Sequence, residues 1–87
     1  MNSRNDRRVD ESGLSWTQVE AVIHEWIIGK NAERDQEIMC LWLLRGLTYE
    51  EIEERYMQTH PDKSISTATI KRIIKKRKNQ VFRHFPG

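Results

Sequence analysis

Apolar residues recur at spacings of three and four in four stretches of the chain, the period of one face of an α-helix. The first is Trp16, Val19, Val22, Ile23, Trp26 and Ile27. The second, 38–44, is apolar almost all round and reads as the buried centre. Tyr49, Ile52 and Tyr56 form the third stripe, and Ile70, Ile73, Ile74, Val81 and Phe85 the fourth. The alternation of period two that marks a half-buried strand is absent. The pattern predicts an all-α domain of about four helices.

Local signals set the expected boundaries. Ser15 is an N-cap residue for a helix over 16–28, and Gly29 supplies a left-handed stop. Asn31 should cap the second helix, with Glu33 and Asp35 complementing the positive end of its dipole. Gly46 should end it. Thr48-Tyr49-Glu50-Glu51 has the spacing of a capping box, which opens a third helix over 48–58. His60-Pro61-Asp62 breaks that helix, because a proline disfavours helical geometry in the preceding residue. Ser66 caps the last helix, expected to run to Phe85 over roughly 28 Å at 1.5 Å per residue.

Residues 1–13 hold one sizeable apolar side chain, Val9, and balanced charge, so a disordered tail is expected there. Arg4, Arg7 and Arg8 would give it a basic arm. Residues 14–87 then form a single helical domain. No apolar run is long enough to span a membrane, and no apolar segment follows Met1 in the manner of a secretory signal. The single cysteine, Cys40, lies inside the apolar run and reads as a small core residue. A cytoplasmic protein is the expectation.

Charge changes the picture. The formal net charge is +2, yet residues 14–62 hold four basic side chains against ten acidic ones. Residues 63–87 hold eight basic side chains and no acidic one. At 100° per residue, Ala68, Lys71, Arg72, Lys75, Lys76 and Asn79 project away from the apolar stripe of the last helix. Lys78 falls at the edge and Arg77 on the apolar side, where it should snorkel or pair with a carboxylate of the second or third helix. A helix that packs one face and presents positive charge on the other meets the requirement for docking in a DNA major groove.

Position along that helix divides the roles. Its first turns would reach base edges, which makes Thr67, Ala68, Thr69, Lys71, Arg72 and Lys75 the base-contact candidates. Arg72 has the fork geometry for guanine O6 and N7, and the Ala68 methyl suits a thymine methyl. Lys63, Ser64, Ser66, Lys76, Lys78 and Arg83 are the phosphate-contact candidates, which fix register without reading sequence. Glu50, Glu51, Glu53 and Glu54 diverge around a short helix and read as N-terminal charge rather than as metal ligands. His24, His60 and His84 show no ligand spacing with Cys40 or with one another. No phosphate-cradling glycine loop and no marked nucleophile–base pair is present, so no enzyme, metal or cofactor is expected.

Gly46-Leu47-Thr48-Tyr49-Glu50-Glu51-Ile52 followed by Ser66-Thr67-Ala68-Thr69-Ile70-Lys71-Arg72-Ile73 resembles the region-four helix-turn-helix of bacterial sigma factors. The likeness is strongest to small sigma-like regulators of Gram-positive bacteria and their phages, and it covers roughly 32–85. The resemblance implies that 48–58 braces and 66–78 reads a promoter element. It also implies RNA polymerase as a second partner, with no residue assigned to it. Two positions depart from the family pattern. Glu53 stands where a small residue is usual, and 57–64 replaces a tight glycine turn, so a wider helix pair or a displaced recognition helix is expected.

The leading expectation is a sequence-specific regulator that binds double-stranded DNA. A protein-interaction module for polymerase or another regulator is a second class, and a phage DNA-packaging component a third. Trp16 and Trp26 either complete the core, which is the expectation, or form a homodimer seam along the first helix.

Overall fold

The computed structural model describes residues 13–85. Among them are four helices and no strand: α1 (Trp16–Trp26), α2 (Ala32–Leu43), α3 (Tyr49–Thr59) and α4 (Thr67–Phe82). The expected tail over 1–13, with its arginines, lies outside the described residues except for Gly13, a turn residue with φ +76°.

The all-α architecture follows the apolar stripes closely. Val19, Ile23 and Ile27 at one end, Ile38, Met39 and Leu43 from α2, and Ile52, Ile70, Ile74 and Val81 beyond them are fully buried in one core. Helices α2 and α4 each pack against the other three. Trp16 packs against this core, as expected, whereas Trp26 stays 42% exposed. The Trp26 ring instead stacks on His84 beyond the end of α4, with centroids 3.7 Å apart and planes 8° from parallel. His84, itself exposed, is held in place by that stack.

Three of the four expected caps form. Ser15 Oγ accepts the Gln18 amide and Gln18 Oε1 accepts the Ser15 amide, a reciprocal box at the start of α1. Thr48 and Glu51 make the same box for α3. Ser66 Oγ accepts the Thr69 amide at the start of α4. Asn31 makes no side-chain cap, which corrects the sequence reading. Its backbone (φ −110°, ψ 30°) lacks the extended geometry that aims a cap side chain at the helix amides, and the Ala32 amide turns back to the Gly29 carbonyl.

Two helices end earlier than expected. The side-chain amide of Gln36 on α2 donates to the carbonyls of Ile27 (2.7 Å) and His24 (3.4 Å), closing α1 at Trp26 instead of Ile28. Helix α4 stops at Phe82, and the amides of His84 and Phe85 make tight turns back to Val81 and Phe82. The pairing of His84 with Trp26 and of Phe85 with Phe82, rings 5.3 Å apart, holds that turn.

Asp35 lies in the first turn of α2, as expected, but has a second role: it is buried, and its Oδ2 accepts Arg77 Nε at 2.7 Å. Arg34 Nε donates to the other carboxylate oxygen at 3.1 Å, and Arg77 also donates to Gln80. The carboxylate partner expected for Arg77 thus comes from α2.

The connection between α3 and α4 is built, not slack. Helix α3 continues through Met57 and Gln58 to Thr59, so only 60–66 remain as a turn. His60 closes α3 with its amide on the Tyr56 carbonyl, and the Lys63 amide returns to the His60 carbonyl. The His60 ring lies against Tyr56 and its Nε2 is 2.9 Å from Glu37 Oε1 on α2. Ile65 is buried and pins the far side of the turn. Glu53 is half-buried on α3.

Candidate nucleic-acid interface

Helix α4 separates its residues by chemistry. Ile70, Ile73, Ile74 and Val81 are in the core, while Ala68, Lys71, Arg72, Lys75 and Lys76 are exposed on the other side. Arg83, at the C-cap, is exposed as well and comes round to the same side as Arg72 after about three turns. Lys71 and Arg83 are separated by roughly 18 Å of helix axis. The strip carries five cations with no carboxylate among its own helix residues, because α4 contains none.

The individual candidates differ in freedom. Lys71 Nζ lies 5.5 Å from the centroid of the Tyr49 ring, which leans it toward α3 by cation–π attraction. Thr67 and Thr69 are half-buried, and the Thr69 hydroxyl is 3.1 Å from Ser66 Oγ. Ser66 is exposed, but its oxygen already serves the cap, so any phosphate contact from it must share that atom. Lys63 and Ser64 are exposed in the turn, and Lys78 is half-buried at the edge of the strip. Of the base-contact candidates, Ala68, Lys71, Arg72 and Lys75 therefore form the open surface, with the two threonines beneath its leading edge.

Tertiary packing adds residues that the sequence reading missed. A shallow cleft of about 290 Å³ between α2 and α4 is lined by Lys30, Asn31, Arg34 and Asp35 of the first segment and by Thr69, Arg72, Ile73, Lys76 and Arg77 of the second. Asn31, Arg34 and Thr69 also border the space beside Lys63, Ser64 and Ser66. The basic surface thus reaches from α4 across the start of α2. Lys30 and Arg34 sit in the half of the chain whose summed charge is negative, and only the fold brings them beside Arg72.

Comparison with protein-family models, with curated proteins and with solved structures finds no match. The arrangement stands on its own geometry: a capped helix, a pinned turn, and a second helix with cations on its open face. Among the described residues no helix is long and apolar enough to cross a membrane.

Cys40, on α2, is half-buried. Burial above all, with the carboxylates of Glu20 and Glu37 nearby, pushes its thiol up to about 11. With no cation beside it among the described residues, a thiol held in that state at neutral pH is a poor nucleophile.

Proposed function

We propose that the chain is a sequence-specific regulator of transcription that binds double-stranded DNA, with α4 in the major groove and α3 across the backbone. The observation that carries the reading is the division of α4 into a buried aliphatic face and an open face bearing Lys71, Arg72, Lys75 and Lys76. A surface helix whose cations are merely solvated has no reason to extend its charge onto a neighbouring element. Here Lys30 and Arg34 of the α2 start stand across the cleft from Arg72 and Lys76. Arg72 and Lys75 read base edges in this proposal. Lys63, Lys76, Lys78, Arg83, Lys30 and Arg34 anchor phosphates.

Promoter DNA, RNA polymerase as a second partner and action in the cytoplasm belong to the same reading, on the strength of the sigma-like helix-turn-helix pattern. Selection of bound sequences from a random duplex pool tests it, with the parent chain and Arg72→Ala run side by side. Loss of preference at one or two base positions in the variant is expected. An enriched pool identical for both would remove Arg72 from base reading, and no enrichment with the parent would remove sequence-specific binding altogether.

A further inference from the structure

We infer that Glu20, His24 and Cys40 form a binding site for a zinc-class divalent metal ion that links α1 to α2. One donor atom from each of the three side chains lies within 4.8 Å of the other two. Glu20 and His24 are one helical turn apart on α1 and so share a face, and Cys40 meets them from α2. Carboxylate oxygen, imidazole nitrogen and thiolate sulfur together suit zinc or cobalt, whereas calcium and magnesium take oxygen donors.

The support around the site separates it from a chance Glu–His pair on a helix surface. His24 Nδ1 lies 2.9 Å from Gln36 Oε1. The Gln36 amide nitrogen is committed as a donor to the carbonyls of Ile27 and His24, which leaves Oε1 as the acceptor. Nδ1 is then the donor, and in the neutral ring the lone pair is on Nε2. Nε2 is the atom that faces Glu20, 4.0 Å from Oε2. A metal-binding histidine commonly donates its other ring N–H to an acceptor that fixes its orientation, and Gln36 holds that position here.

The remaining adjustment is small. Tetrahedral zinc sets its donors roughly 3.3–3.6 Å apart, given Zn–S near 2.3 Å and Zn–N or Zn–O near 2.0–2.1 Å. The three donors must close by about 1 Å, which side-chain rotation supplies because Glu20 and His24 are each about half exposed (54% of the side chain). On binding, the Cys40 S–H bond breaks, a sulfur–metal bond forms, and the proton passes to water. No electron is transferred. Three protein ligands leave the fourth position open to a water molecule. The spacing in sequence conceals the site, because Cys40 is separated from His24 by a turn and most of α2.

The chain has one cysteine, so thiolate-to-metal charge transfer can come from Cys40 alone. The test is titration of the full reduced chain with cobalt(II), followed by absorption, with zinc added afterwards as competitor. The expected result is a charge-transfer band that saturates at one metal per chain, zinc displacing cobalt, and a melting temperature that rises with zinc. His24→Ala, at an exposed position, should keep the helical circular dichroism and weaken cobalt binding at least tenfold. Gln36→Ala should weaken it by about 10- to 100-fold. Cys40→Ser should abolish the band. A titration without the band, a band that saturates at one metal per two chains, or unchanged affinity in His24→Ala would overturn the proposal.

Discussion

Asp35 and Arg77, 42 residues apart in sequence, meet in the interior with Nε and Oδ2 separated by 2.7 Å. The pair joins the first turn of α2 to the third turn of α4, behind the open basic face. Both side chains are more than nine-tenths buried, so neither charge can recover its solvation if the other is removed. Asp35→Leu or Arg77→Met alone should each cost about 3 kcal/mol of unfolding free energy, within the range for breaking a buried pair. Replacing both, as Asp35→Leu with Arg77→Met, should restore most of that loss. Urea denaturation of the two single variants and the double variant checks it. A cycle with additive effects would mean that the two side chains do not depend on each other.

The cleft between α2 and α4 makes a second expectation. Lys30→Ala and Arg34→Ala should each weaken DNA binding by a similar factor for all duplexes tested, and each should lower the salt slope by about one. With about six phosphates neutralised, the parent slope should be about −5 to −6 in log affinity against log salt. Binding isotherms across a salt series check both. Variants that keep the parent slope would confine the interface to α4. Arg34 also bonds Asp35, so its stability should be measured alongside.

How much of this was legible in the chain depends on the range of each signal. The all-α class, Ser15, the Thr48–Glu51 box and Ser66 are set by residues three positions apart, and the structure contains each of them. The buried faces of α1 and α4 were legible for the same reason, since 100° per residue fixes which side chains share a side. Arg77 fell on the apolar side by that count, and its partner lies there. The identity of that partner was not legible, because Asp35 near a helix start looks like a charge facing the dipole. Lys30, Arg34 and the grouping of Glu20 and His24 with Cys40 were hidden likewise. They depend on how helices cross, and neighbouring residues carry no record of that. Asn31 failed in the other direction: residue type suggested a cap, and the turn from Gly29 set a backbone geometry that does not make one.

The Ser66 cap links stability to the proposed reading surface. Ser66→Ala removes the oxygen that accepts the Thr69 amide, and should cost about 1 kcal/mol. The loosened turn carries Thr67, Ala68 and Thr69, so DNA affinity should fall more for the selected sequence than for random duplex. Ser66→Asp keeps an acceptor at the cap and should recover the stability. Its new negative charge beside the proposed phosphate path should still weaken binding. Thermal melts and competition binding separate the two effects. Equal recovery of both by Ser66→Asp would place Ser66 away from the DNA backbone.

The Trp26–His84 stack bears on whether the α1 stripe is a seam between two copies. Trp26 rests its ring on His84, which ties the C-terminal end of α1 to the turn after α4. His84→Ala should therefore lose about 1 kcal/mol, the size of an aromatic pair beyond its area burial. If the exposed part of Trp26 instead served a homodimer, the loss would depend on protein concentration, because association contributes to the stability of a dimer by mass action. The expected outcome is a concentration-independent loss, with sedimentation of Trp26→Ala unchanged from the parent. A parent that sediments as a dimer and a Trp26→Ala variant that does not would assign the ring to the seam.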